Sequence, residues 1–365
     1  MTDSAKTEYS PGRVSPPGDT LAETLEELGM SQTELARRMG RPTKTINEIV
    51  QGKTAILPET AFQLENVLGI PASFWLARET AYRTSLARSA RQTAVVAPET
   101  VEWAKQFPCK EMARLGWIEA CLRKADYVQG LFAFFRVASV QAWEATWSRP
   151  EVAFRRSLTK EGNRYAVSAW LQRGEIEATS RKADPYNAEA FRAALDDCRR
   201  LTPAPPEVFC PVVQTACAAA GVVVIFVPEL PGASVSGAAR WLTAQRALIQ
   251  LTLRFKTDDQ LWFSFFHEAA HILLHPKKGI FVDNGHGTST QEKEADAFAS
   301  NMLIPDDEFD AFVQERPLSS QRVRAFAAKQ EIAPGIVVGR LQHERLLPFN
   351  QLNNLKRGLQ WEGFD

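Results

Sequence analysis

The segment Phe-Phe-His-Glu-Ala-Ala-His-Ile-Leu-Leu-His places His267, Glu268 and His271 in an HExxH pattern. Residues four apart share one helix face, so both imidazoles can reach one ion. Neutral imidazole suits zinc, and catalytic zinc sites keep a position for water. Glu268, one step past the first histidine, can take a proton from that water, which is the chemistry of amide hydrolysis. A third ligand is required. Downstream, Glu292, Glu294 and Asp296 are available. Ala295, Phe298, Ala299 and Met302 mark an apolar face there. Glu294 borders that face, whereas Glu292 and Lys293 read as solvated. Glu294 is therefore the expected ligand, with Asp296 as the alternative. His275 continues the histidine stripe, but Pro276 follows it, and it reads as a helix-end histidine near the C-terminal dipole.

These residues need a scaffold. Phe263, Phe265, Phe266, Ile272, Leu273 and Leu274 flank the motif and predict a long buried helix from Asp258 or Asp259 to Leu274, stopped by Pro276. Three strand-like runs precede it, Val222 to Val227, Gly237 to Thr243 and Ala247 to Leu253. A second helix, Gln291 to Leu303, follows and ends at Pro305. The expectation is a small α+β domain over 206–310, then a helical extension over 311–365.

The other end of the chain carries a different signal. Ser31 reads as an N-cap, with Glu34 completing a capping box, and Gly40 ends that short helix. Arg41-Pro42 makes a turn, and Thr43 to Val50 forms the next helix, closed by Gly52. This is helix-turn-helix spacing, with a second helix short enough to lie in a major groove. Gln32, Thr43, Lys44, Thr45 and Asn47 lie outside the apolar stripe and suit base edges or phosphates. Between Ser31 and Lys53, Arg37, Arg38, Arg41, Lys44 and Lys53 outnumber Glu34 and Glu48.

That local excess matters because the whole chain of 365 residues is balanced, with 43 basic and 43 acidic side chains. No global charge draws it to nucleic acid or membrane. No apolar run approaches the length of a membrane helix, no leader is visible, and a cytoplasmic setting is expected. Cys109, Cys121, Cys198, Cys210 and Cys217 form no CxxC pair and read as reduced thiols. The polar, proline-containing residues 1–17 read as a disordered tail, 18–88 as a DNA-binding domain, and 89–205 as a helical connector without a catalytic constellation.

The motif helix with Glu-Lys-Glu-Ala-Asp-Ala-Phe-Ala-Ser-Asn-Met-Leu-Ile-Pro resembles the ImmA/IrrE family of zinc metallopeptidases, over about Val222 to Pro305 and more weakly Glu331 to His343. The resemblance implies a zincin-like (gluzincin) fold, Zn2+ held by His267, His271 and Glu294, and Glu268 as general base. It also implies a DNA-binding regulatory protein as substrate. In such a scaffold an edge strand pairs with extended substrate, and the expected edge is Gly237 to Thr243, with Ala239, Arg240 and Trp241 against the bound chain. Residues from Gly18 to about Tyr82 resemble the HigA-type branch of the Xre/Cro family through Ser-Gln-Thr-Glu-Leu-Ala-Arg-Arg-Met and Thr-Ile-Asn-Glu-Ile-Val-Gln-Gly-Lys. Double-stranded operator DNA and a homodimer are thereby implied. Arg41-Pro42 departs from the family, where a small or β-branched residue is common. The whole reads as a multidomain regulator and zinc endopeptidase. Its rival is a non-catalytic repressor or antitoxin that keeps the zinc fold as a sensor or docking platform.

Overall fold

The computed structural model describes residues 14–121, 126–147, 163–277, 280–283 and 289–361. The chain divides into two compact units, 1–100 and 101–365. The expected tail lies largely outside the described residues, and Pro17, assigned to that tail, is instead the first residue of a helix.

Unit one is five helices: α1 (Pro17–Glu27), α2 (Gln32–Met39), α3 (Thr43–Val50), α4 (Pro58–Leu68) and α5 (Ala72–Val95). Pro17 at the first helical position loses no hydrogen bond, because that N–H has no intrahelical partner in any case. Ser31 caps α2 by accepting from the Glu34 N–H. The reciprocal half of the expected capping box is replaced: the Glu34 carboxylate pairs with Arg37 and Arg38 instead. Gly40 and Gly69 take left-handed conformations that stop α2 and α4. Leu21, Leu35, Ile46, Leu64 and Trp75 are fully buried in the core. A Cβ on Gly18 would sit 2.3 Å from the Val50 carbonyl, so a glycine is what lets α1 cross the end of α3. The helix α5 runs unbroken through residue 88.

Unit two is built on a four-stranded sheet of order β1-β3-β2-β4, with β1 (Val222–Phe226), β2 (Gly237–Thr243), β3 (Arg246–Leu251) and β4 (Ile280–Asp283). β1 is parallel to β3, and β2 is antiparallel to both β3 and β4. The strand β4 was not anticipated. It moves β2 from the expected edge to the interior, with Ala239 opposite Ile249 on one side and Phe281 on the other. Alternation then sorts the side chains of β2. Gly237 faces the motif helix Asp258–Leu274, with Ala239 on the same side. Arg240 points to the opposite face, where its guanidinium reaches the Leu171 carbonyl at 2.8 Å and Glu175 at 3.1 Å.

That opposite face is covered by the helix Arg164–Ser180. Trp170 donates to the Val227 carbonyl, Gln250 donates to the Trp170 carbonyl, and Gly174 leaves the space the Gln250 amide fills. Residues within the stretch read as a connector thus form one outer layer of the sheet. The motif helix forms the other, burying Phe265 and Phe266 against Val224, Ile249 and Val337. Full burial of such side chains contributes about 1.5–3 kcal/mol each, which fixes the helix that carries the histidines.

Candidate metal centre

His267 and His271 project from successive turns of one buried helix and are 2% and 1% exposed. Their Nε2 atoms lie 3.1 Å apart. The third group is Glu292, from the following helix Thr290–Leu303, with Oε2 3.1 Å from His267 Nε2 and Oε1 3.6 Å from His271 Nε2. Among the described residues, His267, His271 and Glu292 are the three that converge to hold a metal. Tetrahedral ligands at about 2.0–2.2 Å from a zinc ion lie roughly 3.3–3.5 Å from each other, so the spacing and the donor set fit zinc. Burial, with smaller contributions from His267 and His275, pushes the His271 pKa down to about 2, which keeps the ring in its neutral, ligating form.

Each histidine is oriented from behind. Asp296 Oδ1 sits 2.9 Å from His267 Nδ1, so that nitrogen donates and Nε2 faces the cluster. His271 Nδ1 lies 2.8 Å from His275 Nδ1, and His275 Nε2 lies 3.2 Å from Glu294. His271 also stacks on Phe281 of β4, with centroids 4.3 Å apart.

The structure brings Glu292, and not the expected Glu294, to the two Nε2 atoms. Glu294 supports His275, with its side chain 56% exposed, and Asp296, the alternative, orients His267. Glu292 and Asp296 are four apart and share a face beside the buried Ala295, Ala299 and Leu303; Glu294 lies about 200° round the helix from Glu292.

Glu268 is fully buried between the motif helix and β2. A Cβ on Gly237 would lie 2.8 Å from Glu268 Oε1, so this glycine gives the carboxylate its room. The expected substrate contacts do not gather here. Ala239 is buried in the sheet, and Arg240 is bonded on the far face. Trp241 packs edge-on against Tyr186 at 4.7 Å, under the Lys277 ammonium. What adjoins the metal ligands is a cavity of about 940 Å³, bordered by His267, Glu292 and Asp296 and running toward Asp259 and Lys356.

In unit one, Thr43, Lys44 and Asn47 are exposed on α3, while Gln32 and Thr45 are half-buried. Ile46 and Ile49 hold the opposite face in the core. Arg37 and Arg38 are committed to Glu34, and Arg41 reaches Glu59 at 3.4 Å. Lys44 is 3.9 Å from Glu48, a loose surface pair.

Comparison with known proteins separates the two units. Residues 21–75 match the helix-turn-helix profile, and residues 217–341 match that of the IrrE N-terminal-like domain of the M78 peptidases. An uncharacterized HTH-type transcriptional regulator of Escherichia coli K12, YddM, is 38% identical over 66 residues, covering 18% of this chain and 70% of that protein. Among solved structures, a HigA-family addiction module antidote protein from Coxiella burnetii is 32% identical, covering 23% of this chain and 96% of its own at a TM-score of 0.21. The Pseudomonas aeruginosa antitoxin HigA, solved with the higBA promoter, is 28% identical over 24% of this chain and 98% of its own, at 0.22. The chain belongs to the helix-turn-helix family and carries, behind that domain, an IrrE N-terminal-like domain of the M78 peptidase family.

Proposed function

We propose that the chain is a DNA-binding transcriptional regulator whose second unit is a zinc metallopeptidase acting on a regulatory protein. One observation carries this reading: two buried histidines and Glu292 meet at one point, one residue from the buried carboxylate of Glu268. Zinc held there would supply Lewis acidity to the scissile carbonyl and acidify water. The side chains supply the rest. Glu268 takes the proton of the attacking water and returns it to the leaving amine, since the same carboxylate serves as base and then acid. Asp296 and His275 keep the two imidazoles turned inward.

Operator binding through Thr43, Lys44 and Asn47, with Gln32 and Thr45 at the edge, belongs to the same proposal. So do dimerisation on a palindromic site and a cytoplasmic setting. Among the described residues, no helix is long and apolar enough to cross a membrane. The test is mass spectrometry of chromatin-associated proteins from cells carrying the wild type or Glu268→Gln. A regulator cut only by the wild type supports the proposal. Identical proteomes from both would leave the non-catalytic, sensor-like reading.

A further inference from the structure

The cavity beside His267 is too large for water exclusion alone and lies within the size range of ligand sites. It follows the motif helix from His267 back through Phe263 to Asp259. Those residues are spaced four apart, so they form one stripe about 12 Å long at 1.5 Å per residue. Between the two ends the walls mix apolar Phe263, Leu303 and Ile336 with polar Ser264 and Ser300. The near end is the metal cluster. The far end is Asp259, only 4% exposed.

Asp259 is half satisfied. Its Oδ2 accepts from Lys356 at 2.6 Å, while its Oδ1 is buried and has no hydrogen-bond partner among the described residues. Gly339 supports this arrangement, since a Cβ there would lie 2.6 Å from Oδ2. The two cations in the walls are already engaged. Lys356 also donates to Gln342 at 2.8 Å, and Arg340 is held by Asp306, by the Ile304 carbonyl and, at 4.0 Å, by Glu344. A buried acceptor left unmet costs about 1–3 kcal/mol, so the far end calls for a donor.

We infer that this cavity is the substrate's side-chain pocket, and that it selects a long side chain with an aliphatic or aromatic shaft and a hydrogen-bond donor at its tip: Arg, Lys, Gln or Tyr. Asp259 is the specificity-determining residue. Ser and Thr hold their donors close to the backbone, Glu and Leu bring no donor, and a donor on a longer shaft reaches further along the cavity. This rests on the peptidase reading, and it names the substrate class that reading leaves open.

Two measurements test it. Zinc-loaded full chain is incubated with proteome-derived peptides, and the cut sites are read by mass spectrometry. One position within two residues of the cut should favour Arg, Lys, Gln and Tyr over Leu, Met and Glu by about ten- to a hundred-fold, the range that one satisfied buried acceptor yields. Labelled peptides with Arg or Leu at that position, or in a scanned series, are then bound to the Glu268→Gln chain by fluorescence anisotropy. Asp259→Asn should flatten the preference in both assays. Lys356→Met leaves the carboxylate without its internal partner and should narrow the preference to Arg and Lys, which decides the matter if Asp259→Asn does not fold. Cutting or binding without a donor preference overturns the inference, as does a preference unchanged in either folded variant. Donor-selective binding without any cutting overturns the peptidase reading and leaves the pocket standing. Neither binding nor cutting overturns both.

Discussion

The metal cluster depends on which carboxylate faces it. Glu292 Oε2 and Oε1 lie 3.1 and 3.6 Å from the two Nε2 atoms, whereas Glu294 meets only His275. Removing a ligand and removing its support should differ in degree. Glu292→Gln is expected to abolish stoichiometric zinc, measured by elemental analysis. Glu294→Gln and His275→Phe should keep it but weaken zinc affinity about ten- to a hundred-fold in chelator competition, as loss of an outer partner typically does. Zinc loss on Glu294→Gln with full retention on Glu292→Gln would reverse the assignment. Gly237 gives a separate test. Its missing Cβ leaves the Glu268 carboxylate its position, so Gly237→Ala should bind zinc normally and cut about a hundred-fold more slowly, the lower range for a displaced general base. Normal cleavage by a zinc-loaded Gly237→Ala chain would sink the positioning role. HExxH was legible because its spacing is local. The choice among Glu292, Glu294 and Asp296 was not, since it turns on the rotation of one helix against another, which a face of small alanines marks only weakly.

Strand order is the element that reading the chain alone misplaced. β1, β2 and β3 stand out as β-branched or alternating runs, but β4 is only four residues, Ile280–Asp283, and leaves little periodic signal. Its pairing makes β2 an interior strand, and this changes what a substitution does. Ala239→Pro, which an edge strand could tolerate, should remove a ladder hydrogen bond inside the sheet and cost about 3 kcal/mol or more. The expected result is loss of soluble folded protein or a Tm lowered by many degrees; a stable, zinc-loaded Ala239→Pro chain would contradict the strand order. A second element-scale expectation concerns the start of the motif helix. Burial, with the Asp259 charge adding, pushes the Asp258 pKa from 3.8 up to about 6, against the Arg357 N–H that donates to it at 3.0 Å. An acid with a raised folded pKa binds more protons folded than unfolded between the two values. Stability therefore falls as pH rises from about 4 to about 6, and stays at the lower level above that. A shift of about two units corresponds to roughly 2–3 kcal/mol. Asp258→Asn keeps an oxygen for the Arg357 N–H and removes the buried charge. It should be more stable than wild type at pH 7.5 by up to that amount, with the difference closing toward pH 4, in urea titrations at each pH. An unchanged or enlarged gap at pH 4 would show that charge burial is not the cause.

At the scale of the whole molecule, a net charge of zero conceals two units with different electrostatic needs. A metal cluster in the second unit needs neutral imidazoles; DNA binding by the first unit needs exposed cations on one helix. Regional reading separated them, because capping and glycine signals bound each short helix of unit one by local rules. The structure then thins the basic count, since Arg37 and Arg38 are tied to Glu34 and Arg41 to Glu59. Lys44, 3.9 Å from Glu48 and highly exposed, is the cation of α3 best placed to leave its partner for a phosphate. An exposed ion pair of that kind contributes about 0–1 kcal/mol, so breaking it is cheap. Lys44→Ala should therefore weaken binding to the chain's own promoter across sequences. It should also lower the slope of log affinity against log salt by about 0.9, the contribution of one neutralised phosphate. Asn47→Ala acts differently. A neutral side chain suited to a base edge releases no counterions, so its loss should leave the salt slope unchanged and cost about 1–3 kcal/mol at one operator position. Glu268→Gln, in the other unit, should bind the same DNA with wild-type affinity. Fluorescence anisotropy over a salt series measures all three. If Lys44→Ala shifts neither affinity nor slope, α3 does not face the phosphate backbone, and the first unit is a protein-docking module.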